Sequence, residues 1–395
     1  MSGAVREIQV SESGQTSNRS TTDLSEVLSR LEVIETYLKD IEGNTRSSDE
    51  QKLVFRDSSD LVTVLIRTSI ISIGEIDTVK QEFTCDIFVA AKWKEPRLKG
   101  RKNEDIDWSQ EWHPRIVFFN ALVIDKMEKR RFIEEDEDDI PYAYETFRIF
   151  GTFRENLELD HFPLDYQELT ITLMSDWTDK MVKFQKDMKR KDWIRPETFT
   201  AVQQWNLQRF VVTISESTQH STASSNNNYP MYHIKAFVRR KNGFYLWNVA
   251  LIVFLITALS FTSFSVPISE SADRLSVTLT LLLTAIAFKF VVSQSLPTIS
   301  YLTLLDMYVI SGLVFLFCIA VENGLVVALP VKIQKEVDRI CLFTAIAIFV
   351  LIHIIAVIVV LMKKRKVDKT VLEYAKKYKA VCEEIDKVGM GKHIY

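Results

Sequence analysis

Four stretches of this 395-residue chain are apolar over roughly the 20 residues that a helix needs to cross a bilayer, and the rest of the fold has to be arranged around them. Residues 244–266, 301–329 and 340–362 are long enough to span unaided and read as transmembrane helices. The fourth stretch, residues 275–296, differs in kind, because Ser276, Thr278, Thr280 and Thr284 interrupt it and Lys289 lies inside it. A helix facing only lipid does not carry that pattern, since hydrocarbon offers hydroxyl and ammonium groups no partner. Bulk composition conceals the division: charged residues make up 26% of the chain, yet residues 244–362 hold few of them. The formal net charge of −3 leaves no basic excess to track phosphates, so no nucleic-acid partner is expected.

Upstream, the period changes. Residues 61–73, 82–91, 116–124, 145–153, 169–174, 208–214 and 231–238 are short runs rich in Val, Ile, Phe, Thr and Tyr, and they read as strands. Many strands with no long helix between them imply an all-β sandwich of immunoglobulin-like type, followed by an all-α four-helix transmembrane domain. Of Cys85, Cys318, Cys341 and Cys382 only the first lies in this half, so no disulfide can close within it. The acidic run 134–139 reads as a solvated loop.

Before the sandwich, Leu24, Leu31 and Leu38 recur every seven residues, with Val27, Ile34 and Ile41 completing the seam. Residues 23–42 therefore read as an amphipathic helix that self-associates as a coiled coil, the alternative being a helix lying on its own domain. Asn18 opens a glycosylation sequon compatible with an exterior location. Residues 1–20 are polar and lack the apolar run of a secretory signal, so a signal is expected to have been removed ahead of this numbering. The expected domains are 1–50 (polar segment and helix), 51–242 (ligand-binding sandwich), 243–363 (transmembrane) and 364–395 (a helical tail on the sandwich side).

Placed on a helix, Asp273, Ser276, Thr280, Leu283, Ala287 and Val291 recur at steps of three or four and share one face, which Gln294 continues. Five copies around an axis would stack an acidic ring, two hydroxyl rings and then apolar rings, the parts that select, partly dehydrate and gate ions. The alternative is that the hydroxyls join this helix to its neighbours. Glu322 and His353, intramembrane charges on two other spans, can pair with each other, and Asp306 beside Tyr301 and Tyr308 reads as interfacial.

The stretch His161-Phe162-Pro163-Leu164-Asp165-Tyr166-Gln167 resembles the FPxDxQ signature of pentameric ligand-gated ion channels, the Cys-loop receptor superfamily. Other family stretches are similar to Trp93-Lys94-Glu95-Pro96-Arg97-Leu98, Trp112-His113-Pro114 with Asn120, Trp205-Asn206-Leu207, and Arg240 followed by Phe244-Tyr245 and Asn248. Leu296-Pro297 followed by Tyr301, Thr303 and Asp306 resembles the link into the third span. The cysteines that flank the signature loop in animal receptors fall at Glu155 and Leu169, so the disulfide is absent. Ile252 stands where the first helix usually carries proline, which implies a straighter helix, and residues 330–339 are too few for an intracellular domain.

The resemblance implies a homopentamer in the plasma membrane, both termini extracellular, in contact with membrane lipid, a small-molecule ligand and permeant ions. It puts Trp93, Phe119, Trp177 and Tyr229 in an aromatic box between subunits, where ring faces hold a cationic amine, the alternative, above all for Trp93 and Phe119 on strands, being packing within the sandwich. Cation channels of this kind carry an acidic residue just before the basic one at the start of the pore helix, where anion channels have Pro-Ala-Arg. Ala272-Asp273-Arg274 implies permeant cations, unless Arg274 neutralises Asp273. Coupling residues implied are Glu75, Asp77, Phe162, Pro163, Asp165, Arg240, Leu296 and Pro297, with Arg240 able to pair with Asp165. The competing reading is a non-conducting oligomeric receptor or binding module on a membrane anchor. No nucleophile with a base nearby, metal-ligand spacing or Gly-rich phosphate loop occurs, so neither an enzyme nor a cofactor or metal site is expected.

Overall fold

The computed structural model describes residues 61–135, 140–219, 227–294 and 300–390; the expected helix 23–42, Asn18, Leu296 and Pro297 lie outside them. Asp107–Trp112 belongs to a separate small unit, within which Asp107 Oδ1 accepts from the Ser109 amide at 3.0 Å and its hydroxyl at 2.6 Å. The remaining described residues form the other unit.

The period-two alternation becomes ten strands: β1 (Val62–Asp77), β2 (Glu82–Lys94), β3 (Ile116–Phe118), β4 (Ala121–Glu135), β5 (Pro141–Arg154), β6 (Tyr166–Ser175), β7 (Val182–Lys186), β8 (Trp193–Ile194), β9 (Trp205–Gln219) and β10 (Asn228–Arg240). One sheet runs β4-β5-β2-β1-β7, with β8 also beside β1; the other runs β3-β6-β10-β9. The two sheets close on each other through aromatic rings, Phe118 against Phe147 at 5.9 Å and Phe184 against Tyr232 at 6.5 Å. Ile66, Ile87, Ile149 and Ile234 are wholly buried between them.

Residues 116–124, read above as one strand, are two strands in different sheets. Asn120 makes the corner: its side-chain amide donates to the carbonyls of Arg154 (2.8 Å) and Thr170 (2.7 Å), and its oxygen accepts from the Thr172 amide at 2.9 Å. One side chain thereby supplies the backbone partners that a strand crossing between sheets gives up. Glu134 and Glu135, expected in a loop, finish β4.

Four helices follow: α1 (Gly243–Ser265), α2 (Ser271–Ser293), α3 (Leu304–Leu325) and α4 (Val331–Met390). α1 includes a π turn at Leu246–Ala250 and a 3₁₀ end at Ser260–Ser265. α3 begins at a capping box in which Thr303 and Asp306 satisfy each other's free amides, which accounts for an acid at the edge of an apolar span. Gly312 lets α3 approach α1, because a β-carbon there would lie 3.0 Å from Val253 and 3.1 Å from Thr257.

α4 joins segments that the sequence presents separately. Residues 330–339, read as the connection between the last two spans, are mostly its first turns, and residues 364–390, read as a separate tail, continue it without a break. Its 60 residues extend for roughly 90 Å, about three times the hydrocarbon thickness. The excess runs along the sandwich: Asp368 meets Arg239 at 2.8 Å, Tyr374 packs on Phe237 with ring centroids 4.7 Å apart, and Lys191 meets Asp386 at 2.7 Å.

Candidate functional site

At the sandwich edge the structure brings the Trp177 loop beside the strand that carries Tyr229. β3 enters its sheet opposite the end of β6, with Ile116 facing Ser175. The buried Ser175 hydroxyl donates to the Pro114 carbonyl (2.6 Å) and accepts from the Trp177 amide (3.1 Å). The Trp177 indole N–H donates to the His113 carbonyl at 3.0 Å, and the Asp176 amide to the Arg115 carbonyl at 3.3 Å. Three successive carbonyls thus accept from three successive residues, and the Trp177 ring is held in one orientation. The Asp179 amide donates to the Asn228 carbonyl at 3.0 Å, which brings this loop beside Tyr229 at the start of β10. Phe119, 48% exposed, lies just beyond β3, its amide on the Thr172 carbonyl at 2.8 Å.

Trp93 does not join them. Its ring is 0% exposed among the inward residues of β2, Ile87, Val89 and Ala91, and a ring without accessible surface cannot line a ligand box. The outward ring on that strand is Phe88, with the Arg67 guanidinium 5.7 Å from its centroid. Strand alternation carried the signal: Trp93 has the parity of the core positions and Phe88 does not.

At the other end of the sandwich, Arg240 closes β10 and reaches Asp165 through two parallel bonds, Nε to Oδ1 at 2.8 Å and Nη2 to Oδ2 at 3.1 Å. Their side chains are 4% and 1% exposed, so the pair is desolvated. The guanidinium also lies over the rings of Trp205 (4.1 Å) and Phe162 (4.9 Å), and Gln167 donates to Asp165 Oδ2 at 2.8 Å. Below this pair Phe162 meets the edge of Tyr245 at 4.5 Å, and its carbonyl accepts from the Leu305 amide at 3.3 Å. Phe162, Leu159, Val249, Val253, Leu305 and Val309 form one apolar cluster across the junction, with Pro163 and Leu164 on its flank.

The β1–β2 hairpin is tied to the same loop. Gln81 accepts from the Glu155 amide on its carbonyl (3.0 Å) and from the Leu157 amide on Oε1 (2.5 Å). Asp77 caps the turn by accepting from the Val79 and Lys80 amides (2.8 and 3.0 Å), and the Lys80 amide bond is the chief reason its carboxyl is held below the usual range. Glu75 is exposed, its amide on Thr84 Oγ1 at 2.9 Å. Where the resemblance expects a disulfide, the Glu155 carboxylate accepts from the Thr170 amide at 2.7 Å, next to Leu169. Burial pushes the Glu155 carboxyl above its ordinary range.

On α2 the seven residues of the polar stripe, Asp273, Ser276, Thr280, Leu283, Ala287, Val291 and Gln294, are all exposed in the single subunit. The opposite face carries Arg274, Thr278 and Ala285, all buried. Arg274 does not neutralise Asp273: its guanidinium meets Asp338 of α4 at 2.8 Å, donates to the Ser263 carbonyl at 2.9 Å and covers the Phe264 ring at 5.3 Å. The Thr280 hydroxyl donates back to the Ser276 carbonyl at 2.6 Å, leaving its oxygen lone pairs to face outward. Glu322 and His353 do not pair. His353 bonds Tyr308 at 3.2 Å and packs at a tilt on Phe349 with centroids 4.3 Å apart, and Tyr308 and Glu322 are roughly 20 Å apart along α3 at 1.5 Å per residue. No group of three metal-ligating side chains occurs among the described residues.

A family model for the neurotransmitter-gated ion-channel ligand-binding domain matches residues 46–242. The chain is similar to a gamma-aminobutyric acid receptor subunit beta of Caenorhabditis elegans, 26% identical over 275 residues that cover 66% of this chain and 48% of the relative. A gamma-aminobutyric acid receptor subunit beta of Lymnaea stagnalis is 24% identical over 282 residues, 66% of this chain and 54% of the relative. The chain spans about half the length of these curated relatives.

Proposed function

From the premise that this chain belongs to the Cys-loop superfamily of pentameric ligand-gated ion channels, we propose that it is a subunit of a cation-selective channel, opened by a small ligand at the sandwich edge between subunits. Members of this superfamily are channels, not enzymes. The observation that carries the proposal is the division of α2: every residue of the stripe from Asp273 to Gln294 is exposed, while Arg274, Thr278 and Ala285 turn into the subunit. A helix bathed only in lipid would hide its hydroxyls and its acid, so the exposed stripe is best satisfied by water along a symmetry axis.

Asp273 supports cation selectivity because Arg274 is engaged elsewhere, leaving an uncompensated acidic ring at the pore entrance. Thr280 supports it too, since an oxygen with its proton turned into the helix offers lone pairs to a cation. Phe119, Trp177 and Tyr229 are the proposed ligand contacts, and the relatives' gamma-aminobutyric acid has the size of ligand such a site would hold. Phe162 with Pro163, and the Arg240–Asp165 pair, are the proposed coupling elements between sandwich and pore; Glu75 and Asp77 act through the hairpin. A homopentamer in the plasma membrane, with both termini outside, accords with four spans and with the end of α4 beside the sandwich.

Purified protein in planar bilayers under a salt gradient tests the reading. The reversal potential is expected near that of the cation, with Asp273→Ala reducing the preference and leaving thermal stability unchanged because the side chain is exposed. An anion-selective reversal potential would sink cation selectivity, and silent bilayers across a ligand panel would sink the channel reading.

A further inference from the structure

The ring expected to hold an amine already has an occupant. The Arg115 guanidinium carbon lies 4.8 Å from the centroid of the Trp177 ring, inside the ~6 Å at which a ring face holds a cation. The face of the ring under Arg115, which a protonated or quaternary amine would use, is therefore occupied from within the same chain.

The backbone imposes this arrangement. Arg115 has φ 46°, in the left-handed region that a residue with a β-carbon enters only when its surroundings demand it. Here the demand comes from the carbonyls of residues 113–115, each bonded to the Ser175–Trp177 turn. Backbone outliers of this kind gather at ligand clamps.

Among the described residues Arg115 makes no ion pair, and its side chain is partly exposed. A guanidinium lying on a ring points its N–H groups outward from its edge, in the plane that suits two parallel bonds to a carboxylate. Tyr229 and Phe119 border the same end of the sheet.

We propose that the Trp177 site takes its ligand through a carboxylate, with Arg115 as the anchoring cation and Trp177 as the platform that orients it. This rests on the reading above that this edge is the ligand site, and it replaces the cationic amine expected from the aromatic residues alone. A compound bearing only a quaternary amine has to displace Arg115 from the ring face it occupies.

The test is calorimetric titration of the full chain in detergent with propionate, succinate and choline. The wild type is expected to bind a carboxylate and not choline. Arg115→Ala is expected to weaken carboxylate binding at least about tenfold, the loss typical of a hydrogen bond to a charged group, and to admit choline to the uncovered ring. Arg115→Lys, which keeps the charge without the planar fork, is expected to fall between, and guards against a misfolded alanine variant. Unchanged carboxylate affinity in both variants, choline binding to the wild type, or no carboxylate binding by correctly assembled protein would each overturn the proposal. Bilayer conductance is read separately: conduction without carboxylate binding defeats only this proposal, and carboxylate binding without conduction defeats the channel reading while leaving the site.

Discussion

In the sandwich, Ile66, Ile87, Ile149 and Ile234 are wholly buried within one subunit, whereas only 11% of the residues in the most apolar stretch of 268–293, and 6% in that of α4, are buried. The strands complete their core alone; the helices leave most of their surface for something outside the chain to cover. What each leaves uncovered differs in turn. The middle of α4 exposes Ile346, Ile348, Leu351, Ile354 and Ile355, a surface suited to acyl chains. α2 exposes Asp273, Ser276 and Thr280, which acyl chains cannot satisfy. The contrast between a self-sufficient sandwich and helices that leave their surface uncovered is thus visible in one subunit, and the buried Arg240–Asp165 pair lies at the junction of the two.

The strongest way to break that link is Arg240→Ala. The pair with Asp165 is buried, so removing one partner strands the other charge and should cost roughly 3–5 kcal/mol, with loss of gating or of assembly. Dose–response curves matching wild type would refute this, and Arg240→Ala with Asp165→Ala should recover part of the stability. A smaller effect is expected where α4 climbs the sandwich. Tyr374 donates to Glu168 at 3.0 Å and packs on Phe237, so Tyr374→Ala should lower the sandwich's stability by about 1 kcal/mol, in keeping with a half-buried aromatic ring. An unchanged unfolding midpoint would mean that the upper part of α4 merely rests there.

The smallest effect sharpens the sandwich's own account. Glu155 has a folded-state carboxyl raised by burial. Its neutral form is therefore the favoured one, so its contribution is fully present below the unfolded-state value and is lost as pH rises through the folded-state one. Glu155→Gln keeps an acceptor for the Thr170 amide without a charge. It should match wild type at low pH, exceed it slightly above the ordinary carboxylate range, and flatten the pH dependence of the unfolding midpoint in between; an unaltered profile would remove Glu155 from the account.

Much of the junction was legible because the resemblance marked Phe162, Pro163, Asp165 and Arg240, and a buried guanidinium such as that of Arg240 needs a carboxylate. The α2 stripe was legible for a similar reason, since helical spacing alone decides which residues share a face. Trp93 misled because family position outweighed its strand parity, and residues 116–124 misled because one polar residue, Asn120, in an otherwise apolar run does not by itself reveal a turn into another sheet. The extent of α4 was hidden because hydropathy ends the span at residue 362, although charged residues continue a helix as readily as apolar ones.

By itself the sequence determined the two classes of domain, the number of spans and the face of α2 that carries hydroxyls, because period and composition act locally along the chain. Only the tertiary structure decided that Arg274 turns to Asp338 and leaves Asp273 bare, that α4 lies along the sandwich, and that Arg115 covers Trp177. Those outcomes depend on which distant residues meet, and a long flexible side chain such as arginine chooses among partners by geometry that no local pattern encodes.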